Sequence, residues 1–253
     1  MIAFTVADHI IAAIAAAAAG AVNAIAGGGT LISFPTLIAL GASRVSANVT
    51  NTVALCPGYF GGAVAQRSQL PGQRDRLVPL SIAAGLGGLT GSVLLLATGE
   101  AAFTKLVPWL ILMACALLGG QNYIRRWLRI GTEHHSAPGW IAVASIFVVS
   151  IYGGYFGAGL GIALLAVLGL VINETLPRLN ALKQVLALVI NVVAACFFAG
   201  SGHVIWSLAA VMAPASLLGG IGGGKLVNVI KPSVLRAAVV TYGTVLAVYY
   251  IVR

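Results

Sequence analysis

The stretch "NAIAGGGTLISFPTLIALG", Asn23 to Gly41, decides how the chain is read. It is apolar enough to enter a bilayer, yet it carries three consecutive glycines, Gly27, Gly28 and Gly29, followed by Thr30, Ser33 and Pro35. Three adjacent glycines point around the whole circumference of a helix, so no single packing face uses them all. Each weakens a helix by about 1 kcal/mol relative to alanine. A break in the helix is the better reading. In lipid the freed backbone groups would be costly, so a break must face protein or a water-filled cavity. Freed N–H groups at the start of the next helix form an anion site, assisted by the helix dipole. The alternative is a hinge without a ligand.

The surrounding chain of 253 residues is 60% hydrophobic and only 8% charged, with a mean hydropathy of +1.02. A soluble domain carries about 25% charged residues. This composition therefore specifies an all-α polytopic membrane protein. Ten apolar segments are read at 5–26, 30–42, 46–66, 76–98, 102–121, 138–159, 160–173, 180–200, 205–229 and 233–251. Eight are long enough to span. The segments at 30–42 and 160–173 would rise only about 20 Å, against a hydrocarbon core of about 30 Å. The first segment lacks a basic leader region and continues into the body of the chain, so it reads as an uncleaved span.

The two short segments occupy matching places on either side of "RRWLRIGTEHHSAP", Arg125 to Pro138. Adding 132 to a first-half number lands on its partner: Gly27 on Gly159, Gly29 on Gly161, Asn48 on Asn180, Gly87-Gly88 on Gly219-Gly220. The chain reads as two homologous repeats of five segments, 1–124 and 138–253, joined by a cytoplasmic linker at 125–137. If all ten segments cross, the loops bearing Arg67, Arg74 and Arg76, then Arg125, Arg126 and Arg129, then Lys225, Lys231 and Arg236 share the cytoplasmic side, as the positive-inside rule prefers. Five crossings per repeat invert the second against the first, a common build for secondary transporters. Eight spans with two re-entrant segments remain the alternative.

The net charge of +9 is spread over short loops, the pattern of orientation signals and not of a nucleic-acid face. Cys56, Cys115 and Cys196 lie far apart in apolar runs and read as small buried hydrophobes. The five acids, Asp8, Asp75, Glu100, Glu133 and Glu174, lie at segment ends or in loops, so no mid-membrane carboxylate relay is expected. His134-His135 reads as a solvated pair. Without a nucleophile–base constellation, a cofactor motif or a metal cluster, neither an enzyme nor a cofactor or metal site is expected. Gly85, Gly87, Gly88 and Gly91 read as helix-packing contacts.

A second glycine run, "GGYFGAGLG", Gly153 to Gly161, includes Gly157, Gly159 and Gly161. Polar residues follow each short segment: Ser46, Asn48, Thr50, Asn51 and Thr52 in the first half, Asn180, Lys183 and Gln184 in the second. Such clusters are costly in a spanning helix unless they face a cavity. Lys183 either enters that cavity or snorkels to the surface. Asn48 and Asn180 either belong to the site or cap their helices. Asn191 reads as an interhelical hydrogen bond, and Pro57 as a kink.

"AIAGGGTLISFPTLIALGASRVSANVTNTVAL", "GYFGAGLGIALLAVLGL", "LNALKQVLALVINVVAACFFAGSGHVIW" and "LLGGIGGGKL", in this order, resemble the sulfite-exporter (TauE/SafE) family of permeases. The resemblance implies a duplicated inner-membrane transporter that exports a small anion such as sulfite or sulfoacetate. It places the family's motifs on Gly27–Gly29, Asn48, Asn51, Gly157, Gly159, Gly161, Asn180 and Lys183. The expected site adds Thr52 and Gln184. Lipid and a small anion are the expected partners, with a homodimer permitted by the glycine-rich faces. A passive anion channel and a non-transporting scaffold are the rival readings.

Overall fold

The computed structural model describes residues 4–25, 27–130, 139–226 and 232–252. Among the described residues every regular element is helical: α1 (Val6–Ile25), α2 (Thr30–Ala39), α3 (Arg44–Ala65), a 3-10 turn at Arg67–Gln69, α4 (Arg74–Ile130), α5 (Gly139–Tyr155), α6 (Leu160–Val171), α7 (Leu176–Ala199), α8 (Trp206–Leu226) and α9 (Pro232–Val252). The remainder of the linker, with Glu133, His134 and His135, lies outside the described residues, as do Lys231 and the side chains of Arg125, Arg129, Lys225 and Arg236.

Helix α4 covers two of the expected segments. It is broken at Gly99, whose φ of 69° and ψ of −179° are not helical. The chain turns back there. A methyl group on Gly91 would lie 2.8 Å from the Tyr155 nitrogen, and one on Gly159 would lie 3.5 Å from the Ala114 Cα. Residues 91 and 114 of a straight helix would be about 35 Å apart, whereas Tyr155 and Gly159 can be separated by at most about 14 Å. The second arm runs on to Ile130, so the first six residues of the expected linker are helical. "YIRRWLRI" has no Gly or Pro, and its polar residues are good helix formers.

Among the described residues three helices are long and apolar enough to cross a membrane on length and composition: Val6–Ala24, Arg74–Tyr123 and Leu176–Ala199. Helix α3, at 22 residues, is long enough but carries a run of polar side chains. Those are turned inward: Asn48, Thr50 and Asn51 are buried.

Contacts group the helix ends at two poles. At one, Arg76 and Arg178 pair with Glu174, and Asn180 donates to Gln66. The other holds the start of α3, the Gly99 break and the end of α9: Glu100 accepts from the Arg44 and Val45 N–H groups, and the Arg44 guanidinium lies over the Tyr250 ring. Thr98 meets Tyr155 at that pole.

Lipid tails are as apolar as leucine, so helix association here depends on close packing. Glycines supply it. Methyl groups on Gly87, Gly91 and Gly219 would lie 2.4, 2.0 and 2.0 Å from the carbonyl oxygens of Phe147, Ile151 and Ala17. The contacts recur at the 132 offset. A methyl on Gly88 would lie 3.2 Å from the Ile190 Cγ2, and one on Gly220 would lie 3.1 Å from the Gly58 oxygen. A cluster of Phe34, Phe103 and Phe156 in edge-on contact fixes α2 against α4 and the end of α5. Of the cysteines, Cys115 is buried, Cys56 is half-buried and Cys196 is exposed on the bundle's outer face, which departs from the expectation that all three are buried.

Candidate functional site

The first break falls where the glycines stand. Gly27 and Gly28 have φ of 72° and 112°, a region that L-residues avoid. Gly29 is needed for another reason. Its φ is −56°, but a methyl there would lie 2.1 Å from the Ala19 oxygen. The turn brings the chain back beside α1, and α2 leaves from it. In the second break Gly157 and Gly159 both have φ of 73°, and α6 leaves from Gly159.

Each break is satisfied by a side chain from the helix before it. The Gly28 and Gly29 N–H groups donate to the Asn23 Oδ1 at 3.1 and 2.7 Å, and the Gly27 N–H donates to the Val22 oxygen at 3.0 Å. The three donors expected to be free for an anion are therefore occupied. Asn23 holds an oxygen where an anion's oxygen would sit. In the second break the Tyr152 hydroxyl donates to the Ala158 carbonyl.

The breaks meet. A methyl group on Gly161 would lie 3.8 Å from the Gly27 Cα, 3.7 Å from the Lys183 Cδ and 3.8 Å from the Lys183 Cε. Lys183 is 7% exposed. Its stem lies along the meeting point of the breaks instead of reaching outward to a surface. Gly159 faces elsewhere, toward Ala114 on α4, and Gly157 lies against the Gly153 carbonyl.

On α3, Asn48 and Asn51 are 1% and 2% exposed. Asn48 Nδ2 donates to the Tyr155 carbonyl at 2.9 Å, crossing from one half of the chain to the other. Asn51 Nδ2 lies 3.4 Å from the Thr30 hydroxyl. The Oδ1 atoms of both are buried without a hydrogen-bond partner. Neither residue is a cap. Ser43 accepts from the Ser46 N–H at 3.2 Å, and Glu100 takes the first two N–H groups of the helix. Thr52 turns its hydroxyl back to the Asn48 carbonyl at 2.9 Å, so it bonds its own helix.

On α7 the N-cap is Thr175, and Asn180 instead donates to the Gln66 Oε1 at 2.7 Å. Gln184 is 4% exposed and packs on α3, where a methyl on Gly62 would lie 2.6 Å from its Nε2. The sequence reading gave no site role to Asn23, Thr30, Gln66, Tyr59 or Tyr152. Asn23 could have been found, since an asparagine just ahead of a glycine run and a new helix is a capping signal. The Tyr59 hydroxyl faces both Asn23 and Asn191. Asn191 also donates to the Ala187 carbonyl of its own helix. Among the described residues no group of three or more His, Cys, Asp or Glu could hold a metal ion.

An apolar helical bundle whose two glycine breaks meet beside a buried lysine stem is built as a membrane transporter. A family model described as "Sulfite exporter TauE/SafE" matches residues 12–250. The chain belongs to that family. It is 29% identical to a probable membrane transporter protein of Haemophilus influenzae over 87% of this chain and 85% of that one. It is 25% identical to the probable membrane transporter protein YfcA of Escherichia coli (strain K12), over 90% of this chain and 84% of that one. No solved structure matches.

Proposed function

We propose that the chain is a secondary transporter of the cell (inner) membrane that exports a small anion, sulfite or an organosulfonate such as sulfoacetate, by alternating access. The observation that carries the reading is the meeting of Gly27 and Gly161 beside the buried stem of Lys183. A cation with its stem held at two helix breaks supplies what a desolvated anion needs, since a buried charge without compensation is expensive. Asn48 and Asn51, buried on α3, are the amides assigned to the same path. The reciprocal contacts at the 132 offset support two inverted repeats rocking about this centre, the usual mechanics of such a build. A transporter family match weighs against a scaffold.

The test is efflux from proteoliposomes loaded with labelled sulfite, sulfate, thiosulfate or sulfoacetate. Export of sulfite or sulfoacetate, abolished in Lys183→Ala, is the expected result. No flux of any of the four removes the reading. Conductance in planar bilayers far above carrier turnover would establish a passive channel instead.

A further inference from the structure

A cavity of about 510 Å³ lies between α1, α3, α7 and α8, and neither Gly27, Gly161 nor Lys183 lines it. Its polar lining is Gln66 and Gln184; Ala24, Phe60, Val64 and Leu217 are among its apolar walls. Gln184 is 4% exposed, and no hydrogen bond joins its amide to any described residue. Its amide atoms are not among the side-chain atoms enclosed without a partner; they line the cavity, where a ligand or water can meet them. Beside it, Gln66 receives Asn180's N–H on its Oε1. Of the lining residues, Phe60 and Ile221 are 57% and 55% exposed, so the cavity reaches the outside of the bundle beside two large apolar side chains.

The cavity is written into the sequence, and the 132 offset shows how. The α3 face that lines it runs Gly58, Gly62, Gln66, one residue per turn. The matching face of α7 runs Ile190, Ala194, Phe198. All three of those are buried at 0% exposure. Methyl groups on Gly85 and Gly88 would lie 3.6 Å from Val193 and 3.2 Å from Ile190. The matching place is thus filled by side chains, and the two halves differ here by substitution as well as by position.

We propose that this cavity is a second ligand site, an entry vestibule for an amphiphilic monoanion: one oxyanion head and a short apolar tail. Two carboxamides donate to the head, and no cation among the described residues lines the cavity. A doubly charged, strongly hydrated anion would be stripped of water there without charge compensation. A single delocalised charge with an apolar body loses less hydration and buries its tail against Phe60, Val64 and Leu217. The exposed apolar side chains of Phe60 and Ile221 suit a solute that carries an apolar tail. The proposal rests on the transporter reading and adds singly charged, tail-bearing anions to the ligands the protein takes, beside the sulfite or sulfoacetate of the central site.

The experiment measures binding to purified full-length protein in nanodiscs by calorimetry, with butane-1-sulfonate, pentanoate, methanesulfonate and sulfate as probes. Butane-1-sulfonate should bind at least about tenfold tighter than methanesulfonate or sulfate. Comparable binding of pentanoate assigns the preference to charge and tail; weaker binding assigns it to the sulfonate head as well. Either supports the site. Gly62→Ala combined with Gln66→Phe installs the residues that fill the matching place, and should cost at least about tenfold in butane-1-sulfonate affinity. Gln184→Met, close in shape but lacking the amide, should do the same. Equal affinity for sulfate, or unchanged affinity in both cavity variants, overturns the vestibule. Failure of transport with this binding pattern intact would instead sink the transporter reading alone.

Discussion

Gly27 and Gly161 pack against each other across the two helix breaks, with a methyl on Gly161 standing 3.8 Å from the Gly27 Cα. The two sites respond differently to substitution. Gly161→Ala meets ordinary van der Waals distances, so folding should be unaffected. Gly27→Ala must hold φ near 72°, a left-handed conformation costing about 1–2 kcal/mol for a residue with a Cβ. Gly161→Leu would displace the Lys183 stem and should abolish anion flux in protein that still folds. Thermal unfolding and proteoliposome flux on the three variants check this; normal flux in Gly161→Leu would remove the meeting point from the transport path.

Gly29 and Gly41 separate packing from backbone strain. Gly29 has a helical φ of −56° but would drive a methyl to 2.1 Å from the Ala19 oxygen. Gly41 has φ of 99° and open space around it. Gly29→Ala therefore forces α1 and α2 apart and should cost at least about 1–3 kcal/mol, the scale of overpacking. Gly41→Ala carries strain alone, about 1–2 kcal/mol, and Asn there should recover part of it, since Asn tolerates this region better. Equal losses for Gly29→Ala and Gly41→Ala, with no rescue by Gly41→Asn, would contradict the distinction.

The difference between those glycines marks the limit of the sequence. Gly27, Gly28 and Gly29 announced a break because three adjacent glycines serve no single packing face. Which of them bends the chain and which admits a neighbour depends on where Ala19 lies, and no local pattern encodes that. The same holds for the breaks' polar groups. Freed N–H groups were expected, but Asn23 lies five and six residues upstream and fills them from the preceding helix. Asn48 and Asn51 were legible as costly polar residues; their partners, Tyr155 and Thr30, are set by packing between halves. The Gly99 turn was legible only as a gap between apolar segments, since one glycine and one glutamate do not stop a helix by themselves. Gln66 escaped notice because it sits at a helix end, where polar residues are ordinary.

The orphaned Oδ1 of Asn48 yields a charge test. Its Nδ2 is committed to the Tyr155 carbonyl at 2.9 Å, while its oxygen is buried without a partner. Asn48→Asp replaces the donor with an acceptor facing that carbonyl and puts negative charge in a site proposed for an anion. Anion flux should fall by at least about tenfold. Asn48→Ala loses the hydrogen bond, a change on the order of 1 kcal/mol, and should retain measurable flux. Flux in Asn48→Asp equal to that of the unsubstituted protein would show that the anion does not pass this amide.

Two acidic residues at opposite poles of the bundle should differ in their weight. Glu174 pairs with Arg76 at 3.2 Å and Arg178 at 2.9 Å, but the arginine side chains are 46% and 30% exposed. Exposed ion pairs contribute about 0–1 kcal/mol, so Glu174→Ala should barely move the unfolding transition, and added salt should shrink the effect further. Glu100 makes no such pair in its main role. Its two oxygens accept from the Arg44 and Val45 N–H groups at 2.7 and 3.0 Å, capping α3 where the helix dipole is positive. Glu100→Ala leaves those donors open and should cost about 1–2 kcal/mol, the scale of a lost N-cap. Glu100→Gln keeps one amide oxygen as acceptor and should lie between. Unfolding in detergent, measured for all three variants at low and high salt, decides it; a Glu174→Ala loss larger than that of Glu100→Ala would mean that the ion pair, and not the cap, ties the poles of the bundle together.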